Sequence, residues 1–333
     1  MADTIIQVRR LSKKYRVPIR PEGLAASLKN LFQPSFSEVN AVENIHFEVG
    51  AGEMVGLIGP NGAGKTTTLK MLSGLLYPSS GEVHVAGFVP WERRPEYLRR
   101  ISIVLGNKSQ MLWDIPAMDS FIVLSEIYAV PEQEFRRTLD DLIDLLEMKD
   151  LLNKPVRNLS LGERMKCELV ASLLYRPALL FLDEPTLGLD VSMQLRLRQF
   201  LKEYNRRNEV TVLLTSHYMA DVQALCPRVI LIHQGKLLYD GALDGLARHL
   251  APFKLIKIIL NTENGKKIPD FNQLGGSVEL LENEENRCVL RAERKIVPDL
   301  TSRLLQSYSI TDLSIEDPPI EAVLDQIYSG GAI

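Results

Sequence analysis

Apolar residues fall along this chain in two textures that change near residue 250. In the first, short continuous apolar runs recur at Met54 to Gly59, Ile101 to Leu105, Leu179 to Leu182, Val210 to Leu214 and Val229 to Ile232. Stretches of helical spacing separate them. Leu139, Leu142, Ile143, Leu145 and Leu146 mark one within Asp119 to Lys154, Leu161 to Tyr175 reads as a helix ended by Pro177, and Met193 to Arg207 as a polar helix. Apolar strands alternating with helices predict an α/β fold with a parallel sheet covered on both faces. Ahead of them, Ile5 to Arg9, Asn44 to Val49 and Glu82 to Ala86 read as strands, and Pro18 to Asn40 is expected to interrupt any sheet. In the second texture, Phe253 to Leu260, Ser277 to Leu281, Arg287 to Arg291 and Ile310 to Ile315 read as strands. Pro298 to Tyr308 and Pro319 to Tyr328 read as helices, so a small α+β domain is predicted over 250–333 behind a main domain over 1–249.

The strand at Met54 runs directly into Gly59-Pro60-Asn61-Gly62-Ala63-Gly64-Lys65-Thr66-Thr67, the P-loop spacing in full, followed by a helix-compatible stretch, Lys65 to Leu76. Glycines without Cβ atoms let successive backbone N–H groups surround phosphate oxygens, and the helix start adds a partial positive charge. Lys65 is placed to reach the β- and γ-phosphates, and Thr66 to offer its hydroxyl to Mg²⁺. The run Leu179 to Leu182 delivers Asp183 and Glu184 at its C-terminal end, where α/β sheets place ligands. Asp183 suits Mg²⁺, and Glu184 suits polarising a water toward the γ-phosphate.

Composition changes the picture by exclusion. With 333 residues, 45% hydrophobic and 24% charged, the chain is long for one domain and is not disordered. Lys plus Arg number 39 against 42 Asp plus Glu, so the basic surplus of a nucleic-acid binder is missing and no nucleic-acid partner is expected. The 3 cysteines, Cys167, Cys226 and Cys288, are too few and too scattered for a disulfide framework or a zinc spacing. The start Met1-Ala2-Asp3-Thr4 has no secretory pattern, and no run approaches the roughly 20 apolar residues that span a bilayer. Any membrane channel would come from other chains.

Asn158-Leu159-Ser160-Leu161-Gly162-Glu163-Arg164 stands just upstream of the carboxylates and resembles the signature of the ATP-binding-cassette (ABC) ATPases. Asp183 to Asp190 resembles their joined Walker B and D-loop, and Thr215-Ser216-His217 their switch histidine. The motifs follow the family's order across roughly residues 5 to 245. The resemblance implies a P-loop ATPase with an antiparallel β subdomain, an inserted segment over 17–40 and a helical subdomain over about 107–175. It also implies the cofactors ATP and Mg²⁺ and a dimer, of two copies or of one copy and a homologue. In that dimer Leu159, Ser160, Leu161, Gly162 and Glu163 close on the γ-phosphate held by the other subunit. Glu184 and His217 are then the catalytic pair, and Asp190 couples the two sites. Tyr15 stands where the family stacks an aromatic on adenine, although beside Lys13 and Lys14 it suits strand-edge packing as well. The family's Mg²⁺-sensing Gln has no direct match: Asn107 falls at its position, with Gln110 as the alternative. Leu161 and Glu163 depart from the family's usual Gly and Gln.

The motifs with the C-terminal appendage look like the family's bacterial export branch, whose ATPases drive separate integral membrane permeases from the cytoplasmic face of the cell membrane. The rival readings are a soluble mechanical ATPase acting on ribosomes or DNA, and an importer subunit. Gly23 to Phe32 forms an amphipathic helix on paper, either a surface helix or a contact with permease or lipid. Phe88 to Arg100 reads as a solvated helix face, and Trp113 with its neighbours as the lining of a groove for a permease helix.

Overall fold

The computed structural model describes residues 3–18, 36–106, 108–216, 218–261, 278–284 and 286–328. The helix expected at Gly23 to Phe32, together with Asn107 and His217, lies outside the described residues. The chain divides into two units, Met1–Leu243 and Asp244–Ile333.

In the first unit the strands run in chain order β1 Thr4–Pro18, β2 Phe36–Gly50, β3 Met54–Ile58, β4 Ser80–Val85, β5 Ile101–Leu105, β6 Leu179–Asp183, β7 Thr211–Thr215, β8 Arg228–His233 and β9 Lys236–Ala242. One sheet has the order β5-β6-β7-β3-β8-β9, parallel except for the antiparallel pair β8–β9. Strands β3 and β7 are buried at every position, as apolar runs covered on both faces must be. The helices Lys65–Leu72, Leu161–Leu173 and Val191–Asn208 follow strand ends or loops of this sheet. A smaller antiparallel sheet has the order β2-β1-β4. Ile6, Phe47 and Val83 from it join Leu57, Phe181 and Ile230 from the parallel sheet in one hydrophobic core. Each such fully buried side chain contributes roughly 1.5–3 kcal/mol of burial energy, which fixes the strand ends that carry the site.

Pro18 to Asn40 does not interrupt the small sheet as expected. Strand β1 continues to Pro18 and β2 begins at Phe36, with Pro18 opposite Phe36 and Tyr15 opposite Val39. Register shifts between Val8 and Lys14 carry the pairing through the polar stretch, and Pro18 needs no ladder donor at the strand's last position. Phe88 to Arg100 also departs from a solvated helix. It divides into a 3₁₀ turn, Pro90–Glu92, and a short helix, Pro95–Arg100, with Tyr97 fully buried and Phe88 and Trp91 packed on the core. The helical stretch from Asp119 divides into Ala117–Ile127 and Glu132–Leu146, broken at Ala129, Val130 and Pro131. Strand β9 had no counterpart in the expected elements. Gln234 and Gly235 both have positive φ, 48° and 78°, the hairpin turn whose twist matches antiparallel strands.

In the second unit β10 Phe253–Leu260, β11 Val278–Glu284, β12 Arg287–Glu293 and β13 Ile310–Glu316 form an antiparallel sheet of order β11-β12-β10-β13. Ile256, Ile258, Cys288 and Leu290 pack with Leu300 and Leu304 of the helix Val297–Ser307. A last helix covers Ile320–Tyr328. Among the described residues no helix is long and apolar enough to cross a membrane.

Candidate functional site

The loop after β3 is held by close backbone approaches that admit only glycine. Gly59 has φ 150°, and a Cβ there would stand 2.0 Å from the Ile232 carbonyl oxygen of β8. Gly64 has φ 110°, and its Cβ would stand 2.4 Å from the Ala41 carbonyl oxygen. These contacts press the loop between β2 and β8 and aim the first-turn amides of the helix Lys65–Leu72, which have no intrahelical acceptor, at one point. Lys65 is 5% exposed, and its Nζ donates to the carbonyls of Gly59 at 2.7 Å and Pro60 at 3.0 Å. Burial pushes its pKa down, while the charges of Glu184 and Asp183 pull it back up.

Asp183 ends β6 beside β7. Its Oδ1 accepts from Thr66 Oγ1 at 3.1 Å and from Thr215 Oγ1 at 2.7 Å. Walker A and Walker B are thus joined by hydrogen bonds, and Thr215, fully buried, is a supporting residue that the motif reading assigned no role. Glu184 follows with φ 55°, a left-handed conformation rare outside glycine. Its amide donates to Thr215, at 3.0 Å to the carbonyl and 3.2 Å to Oγ1. A strained backbone held by its neighbours is how a functional side chain is turned out of a sheet. Thr66 and Asp183 present a hydroxyl and a carboxylate, hard oxygen donors that fit Mg²⁺. Among the described residues no cluster of three or more His, Cys, Asp or Glu could hold a metal, so the substrate's phosphates would complete such a coordination shell.

The signature stands apart from this group. Ser160 caps the helix Leu161–Leu173: its Oγ accepts from Glu163 N at 3.2 Å, and Glu163 Oε2 accepts from Ser160 N at 2.8 Å. This is the reciprocal capping box, legible as Ser-x-x-Glu in the sequence although not read from it. Glu163, in place of the family's Gln, closes this box. Hydrogen bonding from the Ser160 amide, chiefly, holds its pKa below the usual carboxylate value, with Lys154 and Lys166 adding to the effect. A Cβ on Gly162 would stand 3.0 Å from Met193 Cγ, and one on Gly188 would stand 3.0 Å from Leu161 Cδ2. Leu161, in place of the usual Gly, therefore packs on the loop that leads to Asp190. Asp190 caps the next helix, Val191–Asn208, with Oδ1 accepting from Met193 N at 2.9 Å.

Other candidates fall elsewhere. Tyr15 lies on β1 beyond the pairing with β4, 37% exposed, with the Lys13 ammonium 5.4 Å from its ring centre. Gln110 donates from Nε2 to the Ile103 carbonyl at 3.0 Å, which turns its amide back along β5. Gly106, just before Asn107, donates its amide to the Asp183 carbonyl at 3.1 Å. Trp113 is half exposed with the Arg164 guanidinium 5.1 Å from its ring centre, whereas Met111 and Phe121 belong to the core.

The profile of the family described as "ABC transporter" matches residues 42–187. The ABC transporter ATP-binding protein NatA of Bacillus subtilis (strain 168) is 35% identical over 215 residues, 65% of this chain and 87% of that protein. A Nod factor export ATP-binding protein I from Burkholderia orbicola (strain AU 1054) is 33% identical over 60% of this chain and 66% of its own length. Among solved structures, an ATP-binding subunit of an ABC transporter superposes with a TM-score of 0.61 at 26% identity, covering 74% of this chain and 92% of that one.

Proposed function

This chain belongs to the ATP-binding subunits of ABC transporters, and from that premise we propose that it closes with a second ATPase subunit around two ATP molecules and powers export through separate membrane permeases. The observation that carries this reading is the P-loop cradle, in which Lys65 lies buried against the Gly59 and Pro60 carbonyls and Thr66 is hydrogen-bonded to Asp183. The signature helix, whose N-cap Ser160 is exposed, would supply the second half of the sandwich. Pairing two copies, or a copy and a homologue, brings each signature to the other's γ-phosphate, and ATP then bridges the subunits through charge-assisted hydrogen bonds. Export is supported by the Nod factor export relative.

Within each site, P-loop residues Gly59 to Thr67 cradle the phosphates, and Glu184 orients and polarises the attacking water. Thr66 and Asp183 would hold Mg²⁺, which when bound neutralises the phosphate charge that develops during transfer. Asn107 is favoured over Gln110 as the Mg²⁺-sensing residue, because the Gln110 amide is engaged on β5 whereas Gly106, the residue before Asn107, is hydrogen-bonded to the Asp183 carbonyl. His217 contacts the γ-phosphate, Asp190 couples the two sites, and Tyr15 stacks on adenine. The permease docks where Leu112, Trp113 and Ile127 are exposed, next to a groove lined by Leu75, Tyr128 and Tyr175. In this reading the protein works at the cytoplasmic face of the membrane.

Glu184→Gln tests the reading. With ATP and Mg²⁺ the variant is expected to bind nucleotide, elute as a dimer in size exclusion and show almost no turnover. A nucleotide-saturated variant that remains monomeric, alone and with its membrane partner, overturns the sandwich. Co-purification of the tagged chain with ribosomes or DNA instead of a polytopic protein overturns the transport assignment.

A further inference from the structure

Glu184 leaves the end of β6, and Ser216 leaves the end of β7, its neighbour in the sheet. Past the strand ends the ladder stops, so other contacts must hold these two segments in register. They meet at Asp221, in the first turn of the helix Met219–Leu225 and fully buried. Asp221 Oδ2 accepts from Ser216 Oγ at 2.7 Å and from Thr186 Oγ1, and Oδ1 accepts from Arg198 Nε at 2.6 Å. Thr186 stands two residues after Glu184, and Ser216 immediately before His217. Arg198 extends the network: its guanidinium donates to Gln194 Oε1 at 3.3 Å, and Gln194 Nε2 donates to the Leu189 carbonyl at 3.2 Å. The chain of contacts so returns to the loop that ends at Asp190.

A buried carboxylate is costly unless it is paired and its oxygens are satisfied. Here the partners come from three separate segments: the loop after Walker B, the loop after β7, and the helix Val191–Asn208. The charge is fully satisfied only when all three stand in one mutual arrangement, and such a network specifies geometry more than it adds stability. The Thr186 and Ser216 hydroxyls share one oxygen atom, Oδ2, so a shift of either loop is felt by the other.

We propose that Asp221 is a positioning residue for ATP hydrolysis, whose carboxylate locks the loop following Glu184 to the segment preceding His217 so that the two loops move as a unit. Asp221 itself touches neither substrate nor metal. Its effect is to hold the water-activating carboxylate and the switch segment in a single relative placement, and an error of an ångström in such a placement costs about a hundredfold in rate. The proposal rests on the family's ATPase reaction and extends it to a residue outside the motifs.

Steady-state ATP hydrolysis and nucleotide affinity of the full chain test it, for Asp221→Asn, Thr186→Val, Ser216→Ala and the Thr186→Val/Ser216→Ala double variant. The expected result for Asp221→Asn is a kcat lowered roughly tenfold to a hundredfold, with KM and ATP affinity within about twofold of the wild type. Each hydroxyl variant lowers kcat less, and the double variant loses less than the product of the two, because both act through one oxygen. A folded Asp221→Asn that turns over at the wild-type rate, or that loses affinity in step with kcat, overturns the proposal. So do hydroxyl losses that multiply independently, and this arm decides the matter even if Asp221→Asn does not fold. Glu184→Gln in the same assay separates the two levels. Intact turnover there removes the ATPase assignment, whereas abolished turnover beside a full-rate Asp221→Asn removes only the positioning role.

Discussion

Replacing Thr215 by Val deletes one hydroxyl and keeps the β-branched shape that suits β7. That hydroxyl donates to Asp183 Oδ1 at 2.7 Å and lies 3.2 Å from the Glu184 amide, in a fully buried position. A hydrogen bond to a charged group contributes about 1.5–3 kcal/mol. The Glu184 amide keeps its bond to the Thr215 carbonyl in the variant and loses only its longer arm to Oγ1, and Asp183 keeps Thr66, so the main loss is one charge-assisted bond. If the bond serves to aim Asp183, that energy appears in the transition state, where about 1.4 kcal/mol is a factor of ten. The expected outcome is a kcat lower by roughly tenfold to a hundredfold and a higher half-saturating Mg²⁺ concentration. If it only stabilises the fold, the same energy appears as a melting point lower by roughly 3–12 °C. Titrating hydrolysis against Mg²⁺, with thermal melts in parallel, distinguishes these. A Thr215→Val protein with wild-type kcat and Mg²⁺ requirement refutes the view that β7 positions Asp183.

Lys65→Ala is expected to raise the Kd for ATP about tenfold to a hundredfold, the value of a lost charge-assisted contact, measured by equilibrium binding of a fluorescent nucleotide; unchanged affinity would contradict the phosphate cradle. Glu163→Ala opens the capping box of the signature helix and is expected to lower the melting temperature at neutral pH. Because the folded-state pKa of Glu163 is depressed, its stabilisation is present above the ordinary carboxylate range and is lost as pH falls through the folded value. The melting difference between wild type and Glu163→Ala should therefore be full at neutral pH and shrink progressively as the pH falls below the ordinary glutamate value of about 4.3; a difference that stays constant into acid would mean that the Ser160–Glu163 bond is not its source.

The parallel sheet and both Walker motifs were legible because their signal is local. Apolar runs such as Leu179 to Leu182 can be buried only on both faces, and the glycines at 59 and 64 stand where backbone comes within van der Waals contact of β8 and β2. Strand β9 also had a local signal, the Gln234-Gly235 turn, but its burial alternates from Lys236 to Ala242 while Leu238 sits on the exposed face, so neither an apolar run nor a clean alternation marks it. The extent of β1 and β2 was hidden for a different reason. Their outer halves are exposed on both faces, so no buried face marks them, and register shifts between Thr4 and Lys14 break the alternation that leads into them. Thr215 as the partner of Asp183, and Asp221 as the partner of Thr186 and Ser216, belong to tertiary contacts between segments that only the sheet brings together. Glu163 illustrates the reverse case: a departure from the family's pattern that is explained entirely within one turn of helix.

The long β1–β2 hairpin has a consequence for how the molecule comes apart. Strand β4 supports it only as far as Ser12, opposite Ser80, and Lys14 makes the last contact in that direction through Ser79. From Tyr15 outward the two strands pair, among the described residues, only with each other, and Tyr15, Val17, Phe36 and Val39 are exposed. A two-stranded ribbon has little stability of its own. On warming, its amides should exchange with solvent long before those of Ile6 and Val8, so one continuous strand would melt in two stages with the break at Lys14.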